Sequence, residues 1–414
     1  MRLWFVLGRQ PLLSAAELFA VLGPLPLSAT DYRHQPLILK LNLPPAAPAP
    51  QQLMPRLGGT IKIGEGIASN LPEGKLLERM GKELQKIKGK IHYGISGYGD
   101  HPREIKAKTI ARWGKEIKRR LQSESRSVRY VFKNEPALSS VTVTQNKLTD
   151  KGKEFLVSLS SAEERARGEV RYDLALTRAV QPFKEFSARD YGRPARDDRS
   201  GLLPPKLAMI MINLAAGPRS SLRLLDPFCG SGTILTEALL LGHRQLIGAD
   251  ISEQAIQDTQ KNITWIANQI AGLPSSIADL PILPANVTAL SQKIPPAAVD
   301  AIVTEPALGP PLTGKEKIAQ IKKTAQELNR LYFQAFREFK KILCPGGAVV
   351  FIFPRFLVKG EWITVSPRVV PDIEKLGFTV EPLLPKELHP EPFGLYHRPG
   401  QWVAREIWRF RNFR

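Results

Sequence analysis

Residues 222–233 read Leu-Arg-Leu-Leu-Asp-Pro-Phe-Cys-Gly-Ser-Gly-Thr, and no other stretch limits the fold so strongly. An apolar run, 222–225, ends on Asp226. A tight turn with Gly230 and Gly232 comes next, and a helix-forming run starts at Thr233. Strand, glycine turn and helix make the first unit of a nucleotide-type pocket on a parallel sheet. Glycine lets the backbone approach a ligand where any Cβ would intrude. The turn has no Lys-Ser/Thr after its last glycine, so it is not a Walker loop, and it lacks the G-x-G-x-x-G spacing of dinucleotide folds. A nucleoside ligand without a pyrophosphate fits best.

The rest of the C-terminal half repeats the strand–helix pattern. Apolar runs at 222–225, 245–249, 299–303, 348–353 and 378–383 are separated by helical stretches, and a sixth run, 403–409, lies near the end. Alternation of this kind predicts an α/β, doubly wound sheet over 170–414. The second strand ends on Asp250, about 20 positions after the glycine turn, where a carboxylate can accept both hydroxyls of a ribose. Ser252 is available to cap the following helix, which leaves Asp250 for the ligand. Ile251 is placed to lie against the base of such a nucleoside. His389, His397 and Arg398 are isolated in loops and read as structural.

The N-terminal half has a different grain. Residues 1–41 predict a strand and a helix, 42–55 a Pro/Ala-rich linker, and 56–165 a small α+β domain. Within that domain, 76–86 and 105–121 predict helices, and 91–96, 128–132, 140–144 and 155–159 predict strands. The chain carries a net charge of +20, and residues 101–130 hold ten Lys/Arg against three Glu/Asp. Such a balance favours a polyanion, because basic groups displace phosphate counterions. Arg112, Lys115, Lys118, Arg119 and Arg120 make the basic helix face expected to contact the phosphates of such a partner, which positions it without reading its sequence. Cys229 and Cys344 are the only cysteines, so neither a disulfide framework nor a zinc site is expected. With no run of 18 apolar residues and no secretory signal, no membrane partner and a cytoplasmic setting are expected.

Asp-Pro-Phe-Cys-Gly-Ser-Gly, 226–232, resembles motif I of S-adenosylmethionine (SAM) methyltransferases, in the form typical of the group that methylates amines of RNA and DNA. The pieces 93–96, 128–132 and 137–141, with the basic helix, resemble a THUMP domain and its ferredoxin-like companion. Residues 7–14 and the polar stretch 186–206 resemble the archaeal and eukaryotic tRNA guanosine-10 N2-methyltransferases. The resemblance implies a class I (Rossmann-like) SAM methyltransferase domain behind an N-terminal THUMP-like RNA-binding region. It implies SAM held by Asp226, Phe228, Gly230, Gly232, Thr233, Asp250, Ile251 and Asn286, with 186–206 as a loop over its methionine end. The implied partner is RNA, most simply tRNA, and some relatives use a small activator subunit.

Amino-methyltransferases carry Asp/Asn-Pro-Pro-Tyr/Phe after the fourth strand, where this chain has Glu305-Pro306-Ala307-Leu308. The expected catalytic pair is therefore Glu305 and Pro306: a side-chain oxygen and a backbone carbonyl accept the two N–H bonds of an exocyclic amine and stabilise its developing positive charge. Glu is one methylene longer than Asp, and Leu308 supplies no aromatic stacking. Phe353, Phe356 and Tyr396 are the rings that could substitute. The functional expectation is guanine-N2 methylation in tRNA. Alternatives are an amine of rRNA or DNA, or a noncatalytic RNA-binding protein with a degenerate site.

Overall fold

The computed structural model describes residues 1–23, 38–99, 105–160, 170–196, 203–219, 221–270 and 279–413. The chain divides into two compact units: Met1–Pro11 with Leu25–Phe183, and Leu12–Pro24 with Lys184–Arg414.

The first unit is a mixed seven-stranded sheet with helices on it. Its strands are β1 (Arg2–Leu7), β2 (Ile38–Asn42), β3 (Thr60–Leu71), β4 (Ile91–Tyr98), β5 (Val128–Val131), β6 (Lys153–Leu159) and β7 (Tyr172–Val180), in the order β2-β1-β3-β7-β6-β4-β5. Parallel pairing joins β4 to β5 and β6, and the other neighbours are antiparallel. Besides α1 (Pro11–Leu22) and α2 (Pro50–Leu53), the N-terminal half contains α3 (Glu73–Gln85) and α4 (Ala107–Ser123). On α3, Leu76, Leu77, Met80 and Leu84 are buried. On α4, Ile110, Trp113, Ile117 and Leu121 repeat every three to four residues, and that stripe packs with Tyr93, Phe155 and Leu174.

Three expectations change here. The first unit runs to Phe183, because β7 pairs with both β3 and β6 and cannot start the following domain. Residues 42–55 are not an open linker: α2 forms there, and Leu43, Pro50, Leu53 and Met54 are buried. Residues 140–144 form a helix, α5 (Ser140–Gln145), where a strand was expected; Ser139 caps it by accepting from the Thr142 N–H at 3.2 Å, overriding the β-branched composition.

The second unit contains α6 (Phe183–Tyr191), α7 (Pro205–Ala216), β8 (Arg223–Asp226), α8 (Thr233–Leu240), β9 (Gln245–Asp250), α9 (Glu253–Ala267), β10 (Ile282–Pro284) and β11 (Val299–Thr304). It continues with α10 (Ile318–Ile342), β12 (Leu343–Val358), β13 (Glu361–Thr364), α11 (Ser366–Lys375), β14 (Phe378–Val380), β15 (Gly394–Tyr396) and β16 (Val403–Asn412). The sheet order is β10-β9-β8-β11-β12-β16-β14, with β13 beside β12 and β15 beside β16. Along that order the strands from β10 to β12 are parallel, and β16 runs antiparallel to β12, the reversed last strand expected of this Rossmann-like methyltransferase fold. Phe336, Phe339, Phe351, Phe353 and Phe410 are fully buried in one core, each removing about 2–3 kcal/mol of apolar surface free energy from water. Part of α1 belongs to this unit, where Asn213 donates to Glu17 at 2.7 Å. No helix among the described residues is long and apolar enough to cross a membrane.

The strand order reverses between β8 and β11: β9 lies on one side of β8 and β11 on the other. In open α/β sheets ligands bind at the carboxyl ends of strands beside such a reversal. Asp226 ends β8, and Glu305 comes directly after β11.

Candidate active site

A cavity of about 1120 Å³ opens at that reversal. Its walls include Asp226, Phe228, Gly230, Thr233, Asp250, Ile251, Asn286, Glu305 and Pro306, so nine of the expected site residues meet in one place. Gly232 lies just behind, as the cap of α8.

The glycine turn is shaped from several sides. Gly230 has φ +51° and Gly232 has φ +79°, a region that L side chains seldom adopt. A Cβ built on Gly230 meets no atom within 4 Å, whereas one on Gly232 would lie 3.0 Å from Thr259 Cγ2 and 3.2 Å from Thr259 Cα. Thr259 and Asn262, on α9, hold the turn in place. Thr259 donates to the Gly230 carbonyl at 2.8 Å, and Asn262 donates to the Ser231 carbonyl at 2.7 Å. Asn262 also donates to the Ala195 carbonyl at 2.9 Å and accepts from its N–H at 3.0 Å. Sequence reading missed both residues; their sign is a pair of polar groups three apart on a buried helix face. Asn262→Ala leaves several buried backbone groups without partners. It is expected to cost about 1–3 kcal/mol of stability, read as a Tm drop of several degrees, and to weaken ligand binding by calorimetry.

Asp250 stands where expected. Its Oδ2 accepts from the Gly230 N–H and its Oδ1 from the Ser252 N–H, both at 3.0 Å, and unused lone pairs can still accept from a ribose. Ser252 caps α9, as anticipated. Ile251 is 73% exposed, an unusual position for a large aliphatic side chain and one suited to cover a flat ring. Asn286 lines the cavity, and its Oδ1 accepts from the Thr288 N–H and hydroxyl at 3.0 Å, which engages that oxygen in capping a turn.

Asp226 is buried and accepts from Phe228 N–H at 3.2 Å and from the Thr304 hydroxyl at 2.7 Å. Burial pushes its carboxyl up to about 7, and the nearby Asp250 and Glu305 charges add to the rise. Thr304 thus ties the ends of β8 and β11 together.

The stretch 186–194 differs from the polar loop expected. It contains α6, whose Arg189 pairs with Glu237 on α8 at 2.7 Å; burial nevertheless holds the Glu237 carboxyl up at about 7. Arg193 donates to the Thr233 hydroxyl. Arg196 and Leu203 reach the cavity wall, and residues 197–202 lie outside the described residues.

Glu305 Oε1 is paired with Arg405 Nε of β16. No hydrogen bond among the described residues ends on Glu305 Oε2 or on the Pro306 carbonyl. The Tyr332 hydroxyl on α10 donates to the Ala307 carbonyl at 2.6 Å and fixes the turn after Pro306. Two open acceptors therefore sit side by side in the chain at the cavity wall, the arrangement that an –NH₂ group requires. Of the rings available to replace the missing aromatic, Phe353 and Phe356 are 0% exposed in the core and cannot cover a base. Tyr396 is half-buried on β15, opposite Arg405.

The open backbone at Gly230, the Asp250 carboxylate and the Ile251 face fit the methionine edge, ribose and adenine of SAM. Among the described residues no group of three or more His, Cys, Asp or Glu is placed to hold a metal ion.

On the first unit, the basic face of α4 is thinner than its sequence. Arg112 is paired with Glu73 through two bonds of 2.7 Å, Arg120 is paired with Glu116, and Lys118 is half-buried. Lys115 and Arg119 are exposed and make no ion pair among the described residues.

Comparison with known proteins agrees with this geometry. A family model described as UPF0020, an RMKL-like methyltransferase domain, matches residues 193–358, and a DNA methylase model matches 110–261. A tRNA (guanine(10)-N2)-dimethyltransferase of Methanothermobacter thermautotrophicus is 31% identical over 188 residues, 45% of this chain and 48% of that protein. A probable tRNA (guanine(10)-N2)-dimethyltransferase of Methanothermococcus thermolithotrophicus is 32% identical over 118 residues, 28% of this chain and 68% of that protein. The chain spans about half the length, or less, of the first curated relatives it matches. The crystal structure of TrmN from Thermus thermophilus shares the fold, with a TM-score of 0.51 at 19% identity, over 100% of this chain and 99% of that one.

Proposed function

We propose, for a chain that belongs to the tRNA (guanine(10)-N2)-dimethyltransferase family, that it transfers a methyl group from SAM to the exocyclic N2 of a guanine in tRNA. The observation that carries this reading is the pair of open acceptors, Glu305 Oε2 and the Pro306 carbonyl, at the wall of the cavity that Gly230 and Asp250 also line.

SAM, when bound, supplies an electrophilic methyl on its sulfonium. Asp250 holds the ribose, Ile251 covers the adenine, and the backbone at Gly230 and Gly232 gives the nucleoside room. The guanine amine is a poor nucleophile because its lone pair is delocalised into the base. Glu305 and the Pro306 carbonyl accept its two N–H bonds, orient the nitrogen, and stabilise the positive charge that grows on it. The base reaches the cavity by leaving its helical stack.

The first unit serves as the THUMP-like RNA-binding region, with Lys115 and Arg119 as phosphate contacts. Replacing both by Ala is expected to weaken tRNA binding and to make the slope of log K against log salt shallower by about 1.5, measured by filter binding over a salt series. An unchanged slope would remove α4 from the interface.

The test of the function is tritiated-methyl transfer to bulk tRNA followed by nucleoside analysis. N2-methylguanosine or its dimethyl form is expected from the purified chain with SAM. A chain that binds SAM and yields no methylguanosine in tRNA sinks the reading.

A further inference from the structure

We propose that Arg405 is the positioning residue for Glu305: it pins Oε1 and leaves Oε2 as the acceptor that meets the amine N–H. The inference rests on the reading of Glu305 and Pro306 as the amine-holding pair. It answers the question that Glu raises in a position where the related enzymes have Asp or Asn, because a longer side chain must be re-aimed.

The sheet explains why Arg405 can do this. Thr304, the last residue of β11, lies beside Phe351 of β12. Strand β12 runs on past that point, and Arg405 of the antiparallel β16 faces Pro354. The arginine thus enters from a strand that ends its pairing near the same edge as the cavity. Both members of the pair are largely buried, with side-chain exposures of 9% and 13%. A guanidinium fixes its bond direction more rigidly than an ammonium would.

The groups facing Glu305 from other elements set the sign of its pH dependence. They are Asp226 on β8, Tyr332 on α10 and Arg405 on β16. Burial pushes the Glu305 carboxyl above the usual range, the Glu305 charge in turn helps hold the buried Asp226 carboxyl up at about 7, the Tyr332 hydroxyl is neutral, and Arg405 alone among the three favours the ionised form of Glu305. Removing Arg405 therefore raises the carboxyl further, and the acidic side of its titration moves to higher pH.

Two measurements on the full chain test this. In the first, the carboxyl of Glu305 is titrated by carbon-13 NMR in the wild type and in Arg405→Met and Arg405→Lys, with Glu305→Gln used to assign the signal. The midpoint is expected to rise in Arg405→Met by about one pH unit or more and to lie between the two in Arg405→Lys. In the second, methyl transfer by Glu305→Gln is compared with transfer by the double variant Glu305→Gln, Arg405→Met. With Arg405 present, the amide oxygen is held by the guanidinium, and the –NH₂ end faces the substrate amine, donor against donor. Without Arg405 the amide can turn over and present its oxygen, so the double variant should be about tenfold faster than the single one. A Glu305 midpoint that stays put when Arg405 is removed overturns the proposal, as does a double variant slower than Glu305→Gln. The titration needs no RNA, so it separates this inference from the tRNA reading, which fails instead if the wild type transfers no methyl to tRNA. Should Arg405→Met fold poorly, Arg405→Lys carries the titration arm.

Discussion

Glu305→Gln is expected to reduce methyl transfer to tRNA by about 10²–10³-fold while SAM affinity stays within about twofold of the wild type. The substitution keeps the size of the side chain and a partner for Arg405. It changes what faces the substrate: an oxygen that accepts becomes a nitrogen that donates. The charge that stabilises a developing cation is lost as well. Glu305→Ala is a coarser probe, because it leaves Arg405 buried without its partner and adds a stability loss of about 3–5 kcal/mol. Single-turnover transfer with saturating SAM gives the rate, and calorimetry gives the affinity. A Glu305→Gln enzyme that methylates as fast as the wild type would place the amine elsewhere. Loss of all SAM binding would mean that Glu305 shapes the cofactor site. A wild type that binds SAM and RNA with no transfer would favour the noncatalytic alternative.

The second large effect separates two glycines in one turn. Gly230→Val is expected to lower SAM affinity by about 100-fold or more with a Tm change of only a few degrees. Its Cβ meets no protein atom, so beyond the backbone cost of a β-branched residue at φ +51°, about 1–2 kcal/mol, the added branches occupy space beside the cavity rather than clash with the fold. Gly232→Val should behave in the opposite way. Its Cβ would press on Thr259, including backbone at 3.2 Å, in a conformation that costs a β-branched residue about 1–2 kcal/mol on its own. The larger Tm fall therefore belongs to position 232. Thermal melts and SAM titration of the two variants decide it, and a Gly230→Val protein that binds SAM as the wild type does would refute the assignment of the turn to the cofactor.

How far the site could be seen in the sequence varied with the distance over which each feature is built. Asp226, Gly230 and Asp250 line one cavity, with Gly232 just behind, because strand, turn and helix are specified by neighbours in the chain. Asn286 was placed at the cavity, yet its side chain serves the local turn through Thr288. Two stretches were misread for the same reason in reverse. Residues 140–144 look like a strand by β-branched content, and the cap from Ser139 makes them a helix. Residues 186–194 look like a polar loop, and pairing of Arg189 with buried Glu237 accompanies a helix there. The boundary near 170 was missed because β7 runs in sequence straight toward α6 of the second unit, while its hydrogen bonds go back to β3 and β6.

The chain by itself determined the sheet-forming alternation, the glycine turn and the acidic end of the second strand, since each arises from backbone preference and side-chain period over a few residues. Tertiary structure alone decided which lone pairs remain open in the cavity. Glu305 and Arg405 are 100 positions apart, and they meet because an antiparallel strand is inserted beside β12. Hydrogen bonds between distant elements depend on sheet order and register, which no local run of residues encodes. The same holds for Thr259 and Asn262, which grip the glycine turn only after α9 packs behind it.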